Sequence, residues 1–113
     1  MTKKAAAKDP DRNVWLQLRF QDAEEHYLKA ELVLRLDKAI RALGLTQRMA
    51  ARRIGATQPE LSKILGGKFS EVSLERLMRF LAGLGHHIEI TVGRARANEK
   101  GAVVVRDARR KAA

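Results

Sequence analysis

The chain has 113 residues, 45% of them apolar and 4% aromatic, which suffices for one domain with a small aliphatic core. It has no cysteine, no secretion signal and no run of about 18 apolar residues, which excludes disulfides, cysteine-based metal sites and a membrane span, so we expect a cytoplasmic protein. A formal net charge of +10 indicates a polyanionic partner, most often nucleic acid and less often an anionic membrane surface.

A mobile arm and a long helix are the first predicted elements. Residues 1–12 lack apolar periodicity and are expected to be disordered, and residues 13–20 form a short apolar segment that could fold back as a lid. Asp22 is predicted to cap a helix, with Glu25 at capping-box spacing, and Gly44 to end it. One apolar stripe of this helix is predicted to be buried; it contains Leu28, Leu32, Leu36, Ala39, Ile40 and Leu43.

Two short helices are predicted next, within residues 46–68. Thr46 can cap the first, and Thr57-Gln58-Pro59-Glu60 matches the capping box of the second, with proline in the first turn, where a missing N–H costs nothing. Gly55 between them can adopt the positive φ of a tight turn. Ala51 stands where the helices would cross closely. This is helix-turn-helix geometry, in which the second helix can enter the major groove of DNA.

One more helix and an alternating apolar segment complete the chain. Ser73 is predicted to cap a helix that Gly85 ends, with a buried stripe of Leu74, Leu77, Met78, Leu81 and Leu84. Residues 87–92 alternate between apolar and polar side chains, which predicts a half-buried strand, and residues 103–105 predict a second one. The tail, residues 107–113, is basic and expected to be disordered.

A lone strand leaves its backbone groups unpaired, so the strand over residues 87–92 needs a partner. Residues 103–105 could fold back on it as a hairpin, or the strand could pair with its copy in a second chain. The two arrangements are compatible, and the alternative to a dimer is a monomeric hairpin packed on the preceding helix. We expect a homodimer whose contact is formed by Ile88, Ile90 and Val92.

The segment over residues 46–68 resembles the helix-turn-helix of the Cro/C1-type (XRE) family of phage repressors. The matching residues are Thr46, Gln47, Ala51, Gly55, Gln58, Leu61, Gly67 and Lys68. A wider stretch, roughly residues 13–92, is similar to small XRE proteins that are often HigA-like antitoxins encoded beside a HigB/RelE-type toxin. Their characteristic segments correspond here to Asp22–Glu25, Lys29–Leu32, Ser73–Gly85 and Ile88–Val92.

The resemblance implies a mainly α fold, a lambda-repressor-like helix-turn-helix bundle of four to five helices with a short C-terminal β-strand or hairpin. A helical DNA-binding domain would span residues 13–85, with the helix-turn-helix at residues 46–66 and a dimerisation region at residues 86–106.

The residues that would contact DNA lie around the two short helices. With Leu61, Ile64 and Leu65 inward, the second helix presents outward the base-contact candidates Gln58, Pro59, Ser62 and Lys63. The resemblance gives the same four positions, although Pro59 departs from the family because it offers only apolar contact. Phosphate contacts are predicted for Gln47, Arg48, Arg52, Arg53 and Lys68. The alternative is that these residues only start a helix or carry solvated charge.

We therefore expect a transcriptional repressor that binds a palindromic operator in double-stranded DNA, with an autoregulating antitoxin as its setting. A second hypothesis is an interaction module that neutralises a HigB/RelE-type toxin, with DNA binding secondary, and a third is unspecific nucleic-acid coating by the basic tail. No enzyme, cofactor, metal or membrane partner is predicted. His86 and His87 have no third ligand nearby, and no serine lies in a nucleophile elbow.

Overall fold

The computed structural model describes the backbone of residues 10–108 and the side chains of residues 22–108. This part of the chain forms four helices: α1 Pro10–Ala42, α2 Gln47–Ile54, α3 Gln58–Leu65 and α4 Leu74–Gly83. α1 packs mainly along α4, and α2 packs against α3 and α4. None of the four helices combines the length and apolarity that crossing a membrane requires. Residues 1–9 of the predicted arm and residues 109–113 of the predicted tail lie outside the described residues.

The long helix begins twelve residues earlier than the sequence pattern predicts. α1 starts at Pro10, so the helix start predicted at Asp22 is wrong, and residues 10–12 belong to the helix rather than to a disordered arm. Proline is favoured in the first turn, where its missing N–H would have no helical partner. Residues 11–21 contain no glycine or further proline that would interrupt a helix. Asp22 is therefore an exposed residue inside α1 rather than its cap.

The core is aliphatic and is formed by all four helices. The largest fully buried side chains are Leu36 of α1, Leu61 and Ile64 of α3 and Leu77 of α4. The predicted stripe of α1 is confirmed except for Leu43, which is 46% exposed because it follows the last residue of the helix. Two aromatic residues that the predicted stripes omitted, Phe69 and Phe80, are also buried in this core.

The C-terminal segment does not form the predicted strand or hairpin in the single chain. Residues 86–108 contain no strand, and no backbone hydrogen bond joins residues 87–92 to residues 103–105. Ile88 is partly buried against the core, whereas Ile90 and Val92 are 78% and 91% exposed. The physical reason is that an isolated two-stranded ribbon is marginal in water and finds no third strand in this helical domain.

The end of the described chain returns to α1. Asp107, which the sequence assigned to a disordered tail, accepts a hydrogen bond from Arg35 Nε at 2.8 Å. Arg35 also donates to the Glu31 carboxylate one turn earlier, at 3.0 Å. Burial alone would lower the pKa of Arg35, but the hydrogen bonds and charges of the two carboxylates outweigh it and raise this pKa above its ordinary value. The Arg35–Asp107 contact attaches the C-terminal segment to the helical body.

Candidate nucleic-acid interface

α2, α3 and the turn between them form the helix-turn-helix motif. Thr46 and Thr57 are extended residues whose hydroxyl oxygens accept hydrogen bonds from the third backbone N–H beyond them, at 3.1 and 3.2 Å, so both predicted caps are confirmed. Gly55 has a φ of 77°, in the left-handed region that side chains with a Cβ rarely adopt. Ala51 is 2% exposed, which agrees with its predicted place at a close crossing. The local sequence therefore accounts for the geometry of the motif.

The two faces of α3 have opposite environments. On the inner face Leu61 and Ile64 are buried in the core, and Leu65 is half-buried. The four predicted base-contact residues are all exposed: Gln58, Pro59, Ser62 and Lys63. The polar side chains among them make no hydrogen bond within the described residues. The outer face of α3 is therefore available for contact with another molecule.

α3 is held against α4 by a contact that the sequence pattern did not predict. The capping box suggested that the Glu60 side chain folds back onto its own helix start, but both of its carboxylate oxygens accept hydrogen bonds from Arg76 of α4. The Arg76 guanidinium also lies over the Phe80 ring, 4.9 Å from its centre. This pairing joins residues 16 positions apart, and only the tertiary fold brings them together.

The loop after α3 is fixed to α1. Phe69 is buried, and its ring stacks on His26 with 5.0 Å between ring centres. The Lys29 side chain, 7% exposed, donates to the Ser70 carbonyl oxygen at 2.8 Å and pairs with Glu25 at 2.9 Å. Sequence reasoning missed this contact because a lysine on a helix is normally solvated. These interactions fix the loop that contains Lys68.

The predicted phosphate-contact residues are all exposed, and all of them except Gln47 carry a positive charge. They are Gln47, Arg48, Arg52, Arg53 and Lys68. Within residues 22–108 none of these four cations, nor Lys63, forms an ion pair with a carboxylate. Gln47 is the first residue of α2, and the first turn of this helix contains no acidic residue. The positive end of the helix dipole therefore adds to the positive charge of this surface.

The histidine pair does not form a metal cluster in the described part of the chain. His86 and His87 are exposed, and the nearest carboxylate atom to the His87 ring is Glu89 Oε2, 3.9 Å from Nε2. No group of three or more potential metal ligands occurs among the residues that the structure describes.

Comparison with known proteins identifies relatives of this architecture. A family model described as a helix-turn-helix domain matches residues 14–93, which include all of the motif and α4. A solved structure described as an XRE family transcriptional regulator superposes with a TM-score of 0.71 and 33% sequence identity, over 77% of this chain and 98% of the other. No curated protein matches the sequence significantly.

Proposed function

The chain belongs to the helix-turn-helix domain family, and we propose that it is a sequence-specific repressor that reads the major groove of double-stranded DNA with α3. One observation carries this proposal: the inner face of α3 is buried while its outer face is polar, exposed and unoccupied by the described chain. A helix held rigidly by one face and free on the other is what base reading in a groove requires. The XRE regulator with 33% identity adds support for transcriptional regulation.

Each exposed side chain of α3 has a chemical counterpart on a base edge. Gln58 can donate to and accept from adenine, Lys63 can donate to guanine, and Ser62 can pair with several bases. Pro59 can offer apolar contact to a thymine methyl group. The exposed cations of α2 and Lys68 would neutralise phosphates and fix the register of the protein on DNA without distinguishing sequences.

A homodimer on a palindromic operator is part of the proposal. One α3 of eight residues reads few base pairs, and dimeric helix-turn-helix proteins use two half-sites about 34 Å apart. The exposed Ile90 and Val92, with the partly buried Ile88, supply apolar surface for the contact between two copies. Sedimentation tests this: the chain should behave as a dimer and the variant Ile90→Ser, Val92→Ser as a monomer, whereas an equally dimeric variant would exclude this contact.

An autoregulating antitoxin is the biological setting that we propose. Its support is the similarity of Asp22–Glu25 and Lys29–Leu32 to segments of HigA-like proteins. The alternative role, neutralising a HigB/RelE-type toxin with DNA binding secondary, predicts a toxin reading frame beside the gene. Coexpression of this protein would then restore growth to cells that produce the toxin. If no toxin reading frame lies beside the gene, this would count against both antitoxin roles.

Selection from a pool of random duplexes tests DNA recognition directly. The protein should enrich a palindrome whose half-sites are about 10 base pairs apart, and bind it at least about 10³-fold more tightly than random duplex. Lys63→Ala should lose this preference in part, whereas Lys38→Ala, which removes an equally exposed cation from α1, should keep it. Failure to enrich any sequence would exclude sequence-specific reading.

A further inference from the structure

The C-terminal segment forms a projecting arm, residues 89–104, that is attached to the body at both ends. Ile88 before it and Val105 after it both pack against the core. The hydrogen bond from Arg35 to Asp107 fixes the far end. Every residue of the arm itself is exposed. The chain therefore leaves the helical body and returns to it, and the residues between the two attachments form a loop that faces solvent.

The arm reverses direction at a defined turn. Asn98 has a φ of 69°, a left-handed conformation that asparagine tolerates better than most residues. The Glu99 N–H donates to the Arg96 carbonyl oxygen at 3.0 Å. Eight residues, 89–96, lead to this turn, and an extended chain of that length reaches about 26 Å. The turn can therefore lie up to this distance from the point where the arm leaves the helical body.

The outer part of the arm is cationic. Residues 93–101 contain three bases, Arg94, Arg96 and Lys100, against one acid, Glu99. All are exposed, and among the described residues none of the three bases forms an ion pair. Among the described residues the cations of the motif are likewise exposed and without an ion pair.

The helix that leads into the arm, α4, packs against the basic end of α2. Gly83, the last residue of α4, lies so close to α2 that a Cβ on it would be 3.5 Å from Ile54 Cα and 3.6 Å from the Arg53 carbonyl oxygen. The chain turns at Gly85 and enters the arm a few residues later. The helix that leads into the arm therefore packs against the last turn of α2, which carries the unpaired cations Arg52 and Arg53.

We propose that the arm is a second DNA-binding element, whose Arg94 and Arg96 bind backbone phosphates outside the base pairs that α3 reads. In the described residues both α2 and the arm carry exposed cations without carboxylate partners, and such cations match a phosphate backbone better than an apolar or basic protein surface. The inference rests on the proposed function. It is compatible with dimer contacts of the apolar arm residues, because the cations lie nearer the turn.

Salt dependence measures the number of phosphates that the protein neutralises, so it tests the arm directly. The probe is the duplex selected by the wild-type chain, with about 10 flanking base pairs on each side. The test variant is Arg94→Ala, Arg96→Ala, and the control is Lys38→Ala, Arg79→Ala, which removes two exposed cations from α1 and α4 and changes the net charge equally. Both variants should melt as the wild type does, because the substituted side chains are exposed.

Two chains bind the palindrome, each with one arm, so we expect the arm variant to lower the slope of log affinity against log salt by about four, and the control to leave it unchanged. Between about 50 and 200 mM salt the wild type should then lose roughly 100-fold more affinity than the arm variant. Hydroxyl-radical footprints should lose only their outermost protected sugars in the arm variant. Equal slopes for the two variants, with wild-type binding intact, would overturn the arm alone. A wild type that binds no duplex preferentially would overturn both the arm and the proposed function.

Discussion

Cationic side chains have different surroundings in the scaffold helices and in the motif. On α1 and α4 four described cations pair with a carboxylate one turn away: Lys29–Glu25, Arg35–Glu31, Arg41–Asp37 and Arg79–Glu75. On the motif no such pair occurs within the described residues. Exposed ion pairs contribute at most about 1 kcal/mol to folding, so stability does not explain the difference. Pairing cancels the field of the scaffold cations, whereas the motif keeps its field for a polyanion.

The inner face of α3 should behave as scaffold, and its truncation gives the largest expected effect. Leu61→Ala removes a side chain that is fully buried between α3 and the other helices. We expect the free energy of unfolding to fall by about 2–5 kcal/mol, measured by urea denaturation. A loss below about 1 kcal/mol would mean that α3 is not part of the cooperative core.

The crossing of the motif helices should tolerate no added volume. Ala51→Leu places three more carbons at a position that is 2% exposed, and overpacking of this kind typically costs about 1–3 kcal/mol. The melting temperature should fall accordingly, with the exposed Met49→Leu on the same helix as a control that leaves it unchanged. An unaltered melting temperature in Ala51→Leu would show that this residue is not at the crossing.

The outer face should respond in binding and not in stability. Lys63→Ala should cost roughly 1–3 kcal/mol of specific binding and relax the preference at one base position. Arg53→Ala should instead weaken all sequences alike and lower the salt slope by about one for each bound chain. Titrations on selected and random duplexes separate the two results. Identical behaviour of both variants on both duplexes would contradict direct base reading by α3.

The Glu60–Arg76 pair joins the two regions and should give the smallest effect. Both side chains are partly exposed, so Glu60→Gln should lower the free energy of unfolding by less than about 1 kcal/mol in a urea titration. If hydrogen bonding and not charge holds the pair, the loss of unfolding free energy in Glu60→Gln should be the same at low and at high salt. A loss above about 2 kcal/mol would mean that this contact is part of the core.

Local signals in the sequence predicted the motif and α4, and they failed where distant residues decide. Thr46, Thr57 and Ser73 cap the predicted helices because a cap is encoded within four residues. Asp22 matches the same cap pattern but lies inside α1. The residues before it already favour a helix, so the pattern does not mark the place where the helix begins. The partner of Glu60 was not predictable. The capping box offers this side chain a local hydrogen bond at its own helix start, whereas Arg76 is 16 positions away.

The C-terminal segment shows where apolar periodicity fails to predict secondary structure. Alternation over residues 87–92 predicts a strand, but a strand exists only when another backbone pairs with it. A helix satisfies its own hydrogen bonds, so the helical predictions did not depend on a partner. The burial of Lys29 also depends on a distant partner. Its hydrogen-bond acceptor, the Ser70 carbonyl, is 41 residues away, so no local pattern indicates this contact. The DNA-contact assignments remain predictions.

The anchoring of α3 at both ends has a thermodynamic consequence. Its first turn is tied to α4 by Glu60 and Arg76, and the loop after it is tied to α1 by Phe69 and Lys29. The conformational entropy of ordering this helix is therefore lost during folding and not during DNA binding. Binding should show a small negative heat-capacity change, far below that of a segment that folds on its target. Differences in affinity between DNA sequences then report interface contacts and the deformation of the DNA, and not the ordering of α3.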